Sequence, residues 1–99
     1  MGDKKIEISV KAIQKIMTYP QYECRETMLM MYIYIVMQCN AIDSDNFDTY
    51  DMEFVSVLNL DKELVFSIME KLKGAGLIEI HKPIKLQTAR AYNLRIVGV

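Results

Sequence analysis

Val65, Ile68, Met69 and Leu72 recur at i, i+3, i+4 and i+7, the spacing of one buried helical face. Asn59 stands where a turn between two helices needs a left-handed residue. Asp61 is a good N-cap, because its carboxylate can accept from an orphan amide of the first turn. Gly74 and Gly76 end the pattern, and either can supply the left-handed residue of a C-cap. Leu77 to Ile80 then takes up a β-prone rhythm. The stretch predicts a turn, a helix over residues 61–74 and a strand.

Upstream, residues 4–8 alternate as KIEI, either a short strand or an extended arm. Ser9 can cap a helix over residues 10–19, with Val10, Ile13, Ile16 and Met17 on its apolar face. Pro20 stops it, since the residue before proline leaves the α region. A second helix is expected over residues 25–38. Its middle, MLMMYIYIVM over residues 28–37, is apolar on every side. A strand competes locally through Ile33, Ile35 and Val36, but the length of the run argues for helix. It is too short to span a bilayer, which needs ~20 residues. In a domain this small, such a helix is expected to serve both as core and as interface. Met28, Met31, Tyr32, Tyr34 and Ile35 are the candidate oligomer contacts, and a homodimer or higher homo-oligomer is expected.

Residues 40–48, NAIDSDNFD, are rich in turn-formers and read as a loop. Their acids lack the glycine and closing glutamate of an EF-hand, so calcium is not expected. Thr49 is expected to cap a helix over residues 49–58, with Asp51 and Glu53 at the positive end of its dipole and Phe54, Val55 and Leu58 inward. Lys82 and Pro83 break the strand that begins at Leu77. Residues 83–89 form a hairpin tip, and residues 90–97 return as a strand. The elements describe one α+β, mainly α domain over residues 1–99. They predict a winged helix-turn-helix with an N-terminal helical extension and a wing over residues 77–97.

The net charge changes the functional picture. It is −1, whereas phosphate contacts usually demand a positive excess in a DNA-binding domain. The outward residues of the 61–74 helix are Lys62, Glu63, Phe66, Ser67, Glu70, Lys71 and Lys73. Arginine, asparagine and glutamine, which read bases in bidentate fashion, are missing there. DNA contact is therefore expected mainly to the backbone through the wing residues Lys82, Lys85, Arg90 and Arg95, with Lys62, Lys71 and Lys73 able to contact phosphates and Ser67 able to reach a base edge. The alternatives are an ordinary lysine-bearing hairpin and a protein–protein module that leaves DNA alone.

Cys24 and Cys39 lie fifteen residues apart, near opposite ends of one helix, too far for a disulfide at ~1.5 Å of rise per residue. With one histidine, His81, and no ligand spacing, no metal or cofactor is expected. No catalytic motif appears, so an enzyme is not expected. MGDKKIEIS lacks the apolar run of a secretion signal, which leads us to expect a cytoplasmic protein with no membrane partner.

The segment TYDMEFVSVLNLDKELVFSIMEKLKGAGLIEI, residues 49–80, resembles the N-terminal domain of DnaD-type primosome proteins of Gram-positive bacteria and their phages. That family shows a Thr-capped helix, a Leu-Gly-Leu-Ser turn, and an amphipathic helix ending in glycine and an apolar strand. Here the turn is Leu58-Asn59-Leu60-Asp61. The resemblance covers roughly residues 24–80. It implies a winged helix used in oligomerisation and replication-initiation scaffolding, with a replication protein as a partner and no catalytic residues. The family's C-terminal DNA-binding domain has no counterpart in these 99 residues.

Overall fold

The computed structural model describes residues 6–83 and 90–97. Helix α1 spans Val10–Met17, and a single 3-10 turn, Tyr22–Cys24, leads into α2, Arg25–Ala41. Strand β1, Asn46–Tyr50, runs directly into α3, Asp51–Leu58. Helix α4, Lys62–Gly74, is followed by β2, Ile78–His81, and β3, Ala91–Ile96. The strands form an antiparallel sheet in the order β1-β3-β2. The fold class is α+β, mainly helical. Among the described residues, no helix is long and apolar enough to cross a membrane.

Helix α2 is the axle of the core. Met28, Met31, Tyr32, Ile35, Val36 and Cys39 are buried along it. It packs against α1, α3, α4, β1 and β3. Helix α4 presents Val65, Ile68, Met69 and Leu72 to that core, all buried, as the spacing predicts. Phe47, Phe54, Leu77, Ile78 and Leu94 fill the rest.

The turns follow local chemistry. Asn59 is left-handed at φ 57°, which lets α3 stop and α4 start three residues later. Asp61 holds the N-cap position of α4, but only its carbonyl works there, accepting from Leu64 and Val65. The helix closes in a Schellman arrangement. Gly76 N–H donates to Lys73 O at 2.9 Å, and Leu77 N–H donates to Leu72 O at 3.1 Å. Gly76 sits at φ 78°, a conformation that suits glycine and leads the chain straight into β2.

Several boundaries differ from the sequence reading. Residues 46–50 are a strand, not the end of a loop plus a helix cap. Phe47 and Thr49 are buried while Asn46 and Asp48 are only partly so, the period of two that a sheet edge imposes. Their turn-forming side chains are satisfied across the ladder. Asn93 Nδ2 donates to both Asn46 Oδ1 and Asp48 Oδ1 at 3.0 Å. Thr49 caps nothing. It lies in β1, and its hydroxyl donates to Glu53 Oε1 at 2.5 Å. Tyr50 takes the N-cap position instead. Helix α2 runs on to Ala41, three residues past the expected end at Gln38.

The apolar face expected on α1 is also turned. Ala12 and Ile16 are the buried residues, while Val10, Ile13 and Met17 are exposed. Alanine's small side chain lets a short helix lie close to its neighbour along the Ala12–Ile16 line.

Leu72 carries the α4 face, and Leu72→Ala is expected to cost about 2–5 kcal/mol. Urea unfolding measures this as a lower midpoint with an unchanged slope. An unshifted midpoint would place Leu72 outside the core.

Candidate interaction surfaces

The basic surface is less concentrated than the sequence implies. Lys62 and Lys73 are exposed at opposite ends of α4. Ser67 and Lys71 are half-buried, and Lys71 Nζ donates to Ser67 Oγ at 3.2 Å. With Val65, Ile68 and Leu72 turned inward, the opposite line of the helix is Glu63, Ser67 and Glu70, at i, i+4 and i+7. Glu63 and Glu70 are exposed on the side of α4 away from the core, with exposed Lys62 and Lys73 at the helix ends.

The β2–β3 hairpin divides its cations as well. Lys82 is exposed just beyond β2. Lys85, with Gln87 and Thr88, lies outside the described residues. Arg90 stands just before β3 and Arg95 near its end, so they lie at opposite ends of the strand. Each has an acidic neighbour. Arg95 Nη1 lies 3.6 Å from Asp45 Oδ2. Arg90 Nε donates to Asp51 Oδ2, while Arg90 O accepts from Asp51 N–H at 3.3 Å. Arg90 is held in the left-handed region at φ 64°, immediately before β3 begins.

Asp51 was invisible as a partner in the sequence, because 39 residues separate it from Arg90. It is buried, and its Oδ1 has no hydrogen-bond partner among the described residues. Tyr92 stands beside it. Burial first, and then the Asp51 carboxylate, push the Tyr92 phenol up to about 12, although Arg90 pulls the other way. The Tyr92 ring stacks on Phe66 of α4, with centroids 5.8 Å apart and planes at 27°. Arg90 thus ties the hairpin to α3 through Asp51, and Tyr92 ties it to α4 through Phe66.

The expected oligomer contacts are redistributed too. Met28, Met31, Tyr32 and Ile35 are enclosed by their own chain and cannot meet a partner. Tyr34 is half-buried and committed. Its hydroxyl donates to Glu53 Oε2, and its ring packs edge-on against Phe54 at 5.5 Å and 74°. Burial and Glu53 both raise its phenol pKa. The apolar residues that α2 leaves in solvent are Met30, Ile33 and Met37, at i, i+3 and i+7. They belong to the run singled out in the sequence, but only the packing of α1 and α4 shows which third of the helix stays uncovered.

Helix α1 runs antiparallel to α2. Ile6 exchanges two backbone hydrogen bonds with the Asn40 side chain, at 2.7 and 2.9 Å, which fixes the start of α1 beside the end of α2. At the other end, Arg25 Nε donates to Tyr19 O at 2.7 Å, and Met17 shares a shallow groove with Arg25, Glu26 and Leu29. The exposed Val10, Ile13 and Met17 repeat the i, i+3, i+7 spacing of Met30, Ile33 and Met37.

Among the described residues, no group of three or more histidine, cysteine, aspartate and glutamate side chains could hold a metal ion. Cys24 and Cys39 are free. Burial, with a smaller effect of Asp45, raises the Cys39 thiol to about 11.

Two measurements follow from the polar pins. Arg90→Ala leaves the buried Asp51 carboxylate uncompensated, so it should lower the urea midpoint, while Lys82→Ala should leave it in place. Equal midpoints for the two variants would show that the Arg90–Asp51 contact does not hold the hairpin. The second concerns alkaline pH. Tyr32, Tyr34 and Tyr92 all have raised pKa values in the folded chain, while unfolded tyrosines ionise near pH ~10. The folded state then keeps protons that the unfolded state loses. This stability is fully present below about pH 10 and is lost as pH rises towards the folded values. Urea midpoints measured between pH 8 and about pH 11.5 should fall at the upper end, and Tyr34→Phe should flatten the fall. A flat wild-type profile would contradict the burial of these phenols.

Compared with protein-family models, with curated proteins and with solved structures, the chain matches none.

Proposed function

We propose that the chain is a winged helix that works as a protein-interaction module and not as a reader of DNA. The order α2, β1, α3, α4, β2, β3, with a β1-β3-β2 sheet, supports the winged-helix reading. So does the left-handed Asn59 joining α3 to α4, as a helix-turn-helix needs. In this reading α4 is the recognition-type helix and the β2–β3 hairpin is the wing.

The observation that carries the functional choice is the solvent line of α4, Glu63–Ser67–Glu70. A helix entering the major groove brings that line towards phosphates, and two carboxylates there oppose binding. The wing does little to offset them, since Arg90 and Arg95 already lie against Asp51 and Asp45. A net charge of −1 agrees. The setting, replication initiation or transcription regulation in bacteria or phage, comes from the resemblance of residues 49–80 to DnaD-type N-terminal domains. Binding to DNA backbone through Lys62, Lys73, Lys82 and Lys85 is the second reading, favoured by the exposed lysines at both ends of α4.

Fluorescence anisotropy with a labelled duplex at low salt tests the choice. Wild type should show no binding at micromolar concentration. Glu63→Lys with Glu70→Lys should acquire salt-sensitive affinity, because only the charge of the line changes. Wild-type binding that Lys82→Ala and Lys85→Ala weaken equally for unrelated sequences would replace the protein-module reading with the backbone-clamp one.

A further inference from the structure

We propose that the free edge of β2 pairs with the same edge of a second copy of this chain, antiparallel and centred on Ile80, so that the two sheets become one. The proposal rests on the protein-module reading and names a partner for it.

The open edge follows from the hydrogen-bond register. Strand β2 is the outermost strand of the β1-β3-β2 sheet. Val97 N–H donates to Leu77 O at 3.0 Å. Bonded and non-bonded pairs alternate along an antiparallel ladder, so the next bonded pairs are Glu79–Arg95 and His81–Asn93. Ile78, Ile80 and Lys82 therefore turn their amides and carbonyls away from β3. The far side of β3 agrees, since Ile96 N–H donates to Asp45 O at 2.9 Å. Among the described residues no strand lies beyond β2. Inward charges and prolines are the usual guards of an edge, and none occurs before Lys82 and Pro83. The core-face residues are instead Ile78, buried, and Ile80, half-buried.

The other face of β2 says what covers the edge. It carries Glu79 and His81, both about half exposed, with Glu79 Oε1 2.8 Å from His81 Nε2. Self-pairing has to match the outward groups, which leaves few registers. Centred on Glu79, the pair sets that carboxylate against its own copy. Centred on His81, it sets imidazole against imidazole and Glu79 against Pro83. Centred on Ile78, it draws in Gly76, whose amide already donates to Lys73 O. Centred on Ile80, it sets each Glu79 opposite His81 of the second copy, in a non-bonded pair where side chains come closest. A carboxylate accepts from an imidazole N–H in either charge state of the ring. The segment is therefore complementary to itself in one register, as a closed two-fold contact requires.

That register also uses the outward backbone. Ile80 bonds with Ile80 of the second copy, and Ile78 bonds with Lys82, giving about six backbone hydrogen bonds in all. On the core face the two Ile80 side chains meet and cover what each leaves exposed.

Sedimentation equilibrium on the full chain reads the outcome, with circular dichroism to confirm folding of each variant. Wild type should form a concentration-dependent dimer with a dissociation constant on the order of 10–100 μM, in keeping with a small interface. Ile80→Pro removes only an outward amide from the ladder, which an edge strand tolerates, and should weaken dimerisation about a hundredfold. His81→Glu should weaken it about tenfold, and Glu79→His combined with His81→Glu should restore it. Amide exchange supplies a readout that needs no variant. The Ile78 and Ile80 amides should gain protection as concentration rises, while those of Glu79 and His81 stay protected throughout. A monomer at every concentration, with Ile78 and Ile80 exchanging freely, overturns the proposal and leaves the edge to an extended segment of another protein. So does a dimer that folded Ile80→Pro leaves unchanged. A monomer that also ignores duplex DNA leaves the protein-module reading standing, whereas a dimer that binds duplex through its exposed lysines removes that reading and keeps this pairing.

Discussion

Helix α2 has to be covered by a chain barely large enough to cover it. Its apolar residues are distributed around the whole circumference, yet a domain of this size can enclose only part of one helix. The rest of the fold is an answer to that constraint. Helix α4 lays its single apolar face on one side, β1 and β3 press from below, and α1 closes a flank through Ala12 and Ile16. Helix α1, with eight residues, is too short and too narrow to reach across the outer third. The surplus appears as Met30, Ile33 and Met37, and the turn of α1 leaves three more side chains exposed. These exposed residues are thus a consequence of how the core is built, and their cost in hydration is left unrecovered within the domain.

A few polar contacts fix the remaining elements to that core. Glu53 accepts from Tyr34 of α2 and from Thr49 of β1, so one carboxylate from α3 links three elements. Asp51 does the same for the hairpin by holding Arg90 at the point where β3 begins. Both acids fall in the first turn of α3, where the helix dipole already favours negative charge. Local and long-range roles coincide there. The coincidence also removes Arg90 from the set of cations free to meet a phosphate.

The parts of the fold legible in the sequence were those governed by local rules. The inward face of α4 follows from spacing alone, Asn59 from its tolerance of left-handed backbone, and the helix stop from Gly76. The strand over Asn46–Tyr50 was hidden, because Asn46, Asp48 and Thr49 individually prefer turns and caps. Its stability comes from β3, more than forty residues away. The same holds for surfaces. The list of outward α4 residues could be written from periodicity. That Arg90 is paired, or that Met28 and Ile35 are enclosed while Met30 and Ile33 are not, depends on which element packs on which side. No local pattern carries that information.

The surfaces of the domain point to one functional logic. On α4, the side away from the core carries carboxylate, hydroxyl and carboxylate at Glu63, Ser67 and Glu70. Such a strip raises the cost of approaching any polyanion and lowers that of approaching a basic protein surface. On α1 and α2 the exposed apolar residues leave much to desolvate. A domain that associates with a second copy of itself would display the α4 strip twice. A basic partner that contacts both copies would gain from effective concentration without any improvement in either contact.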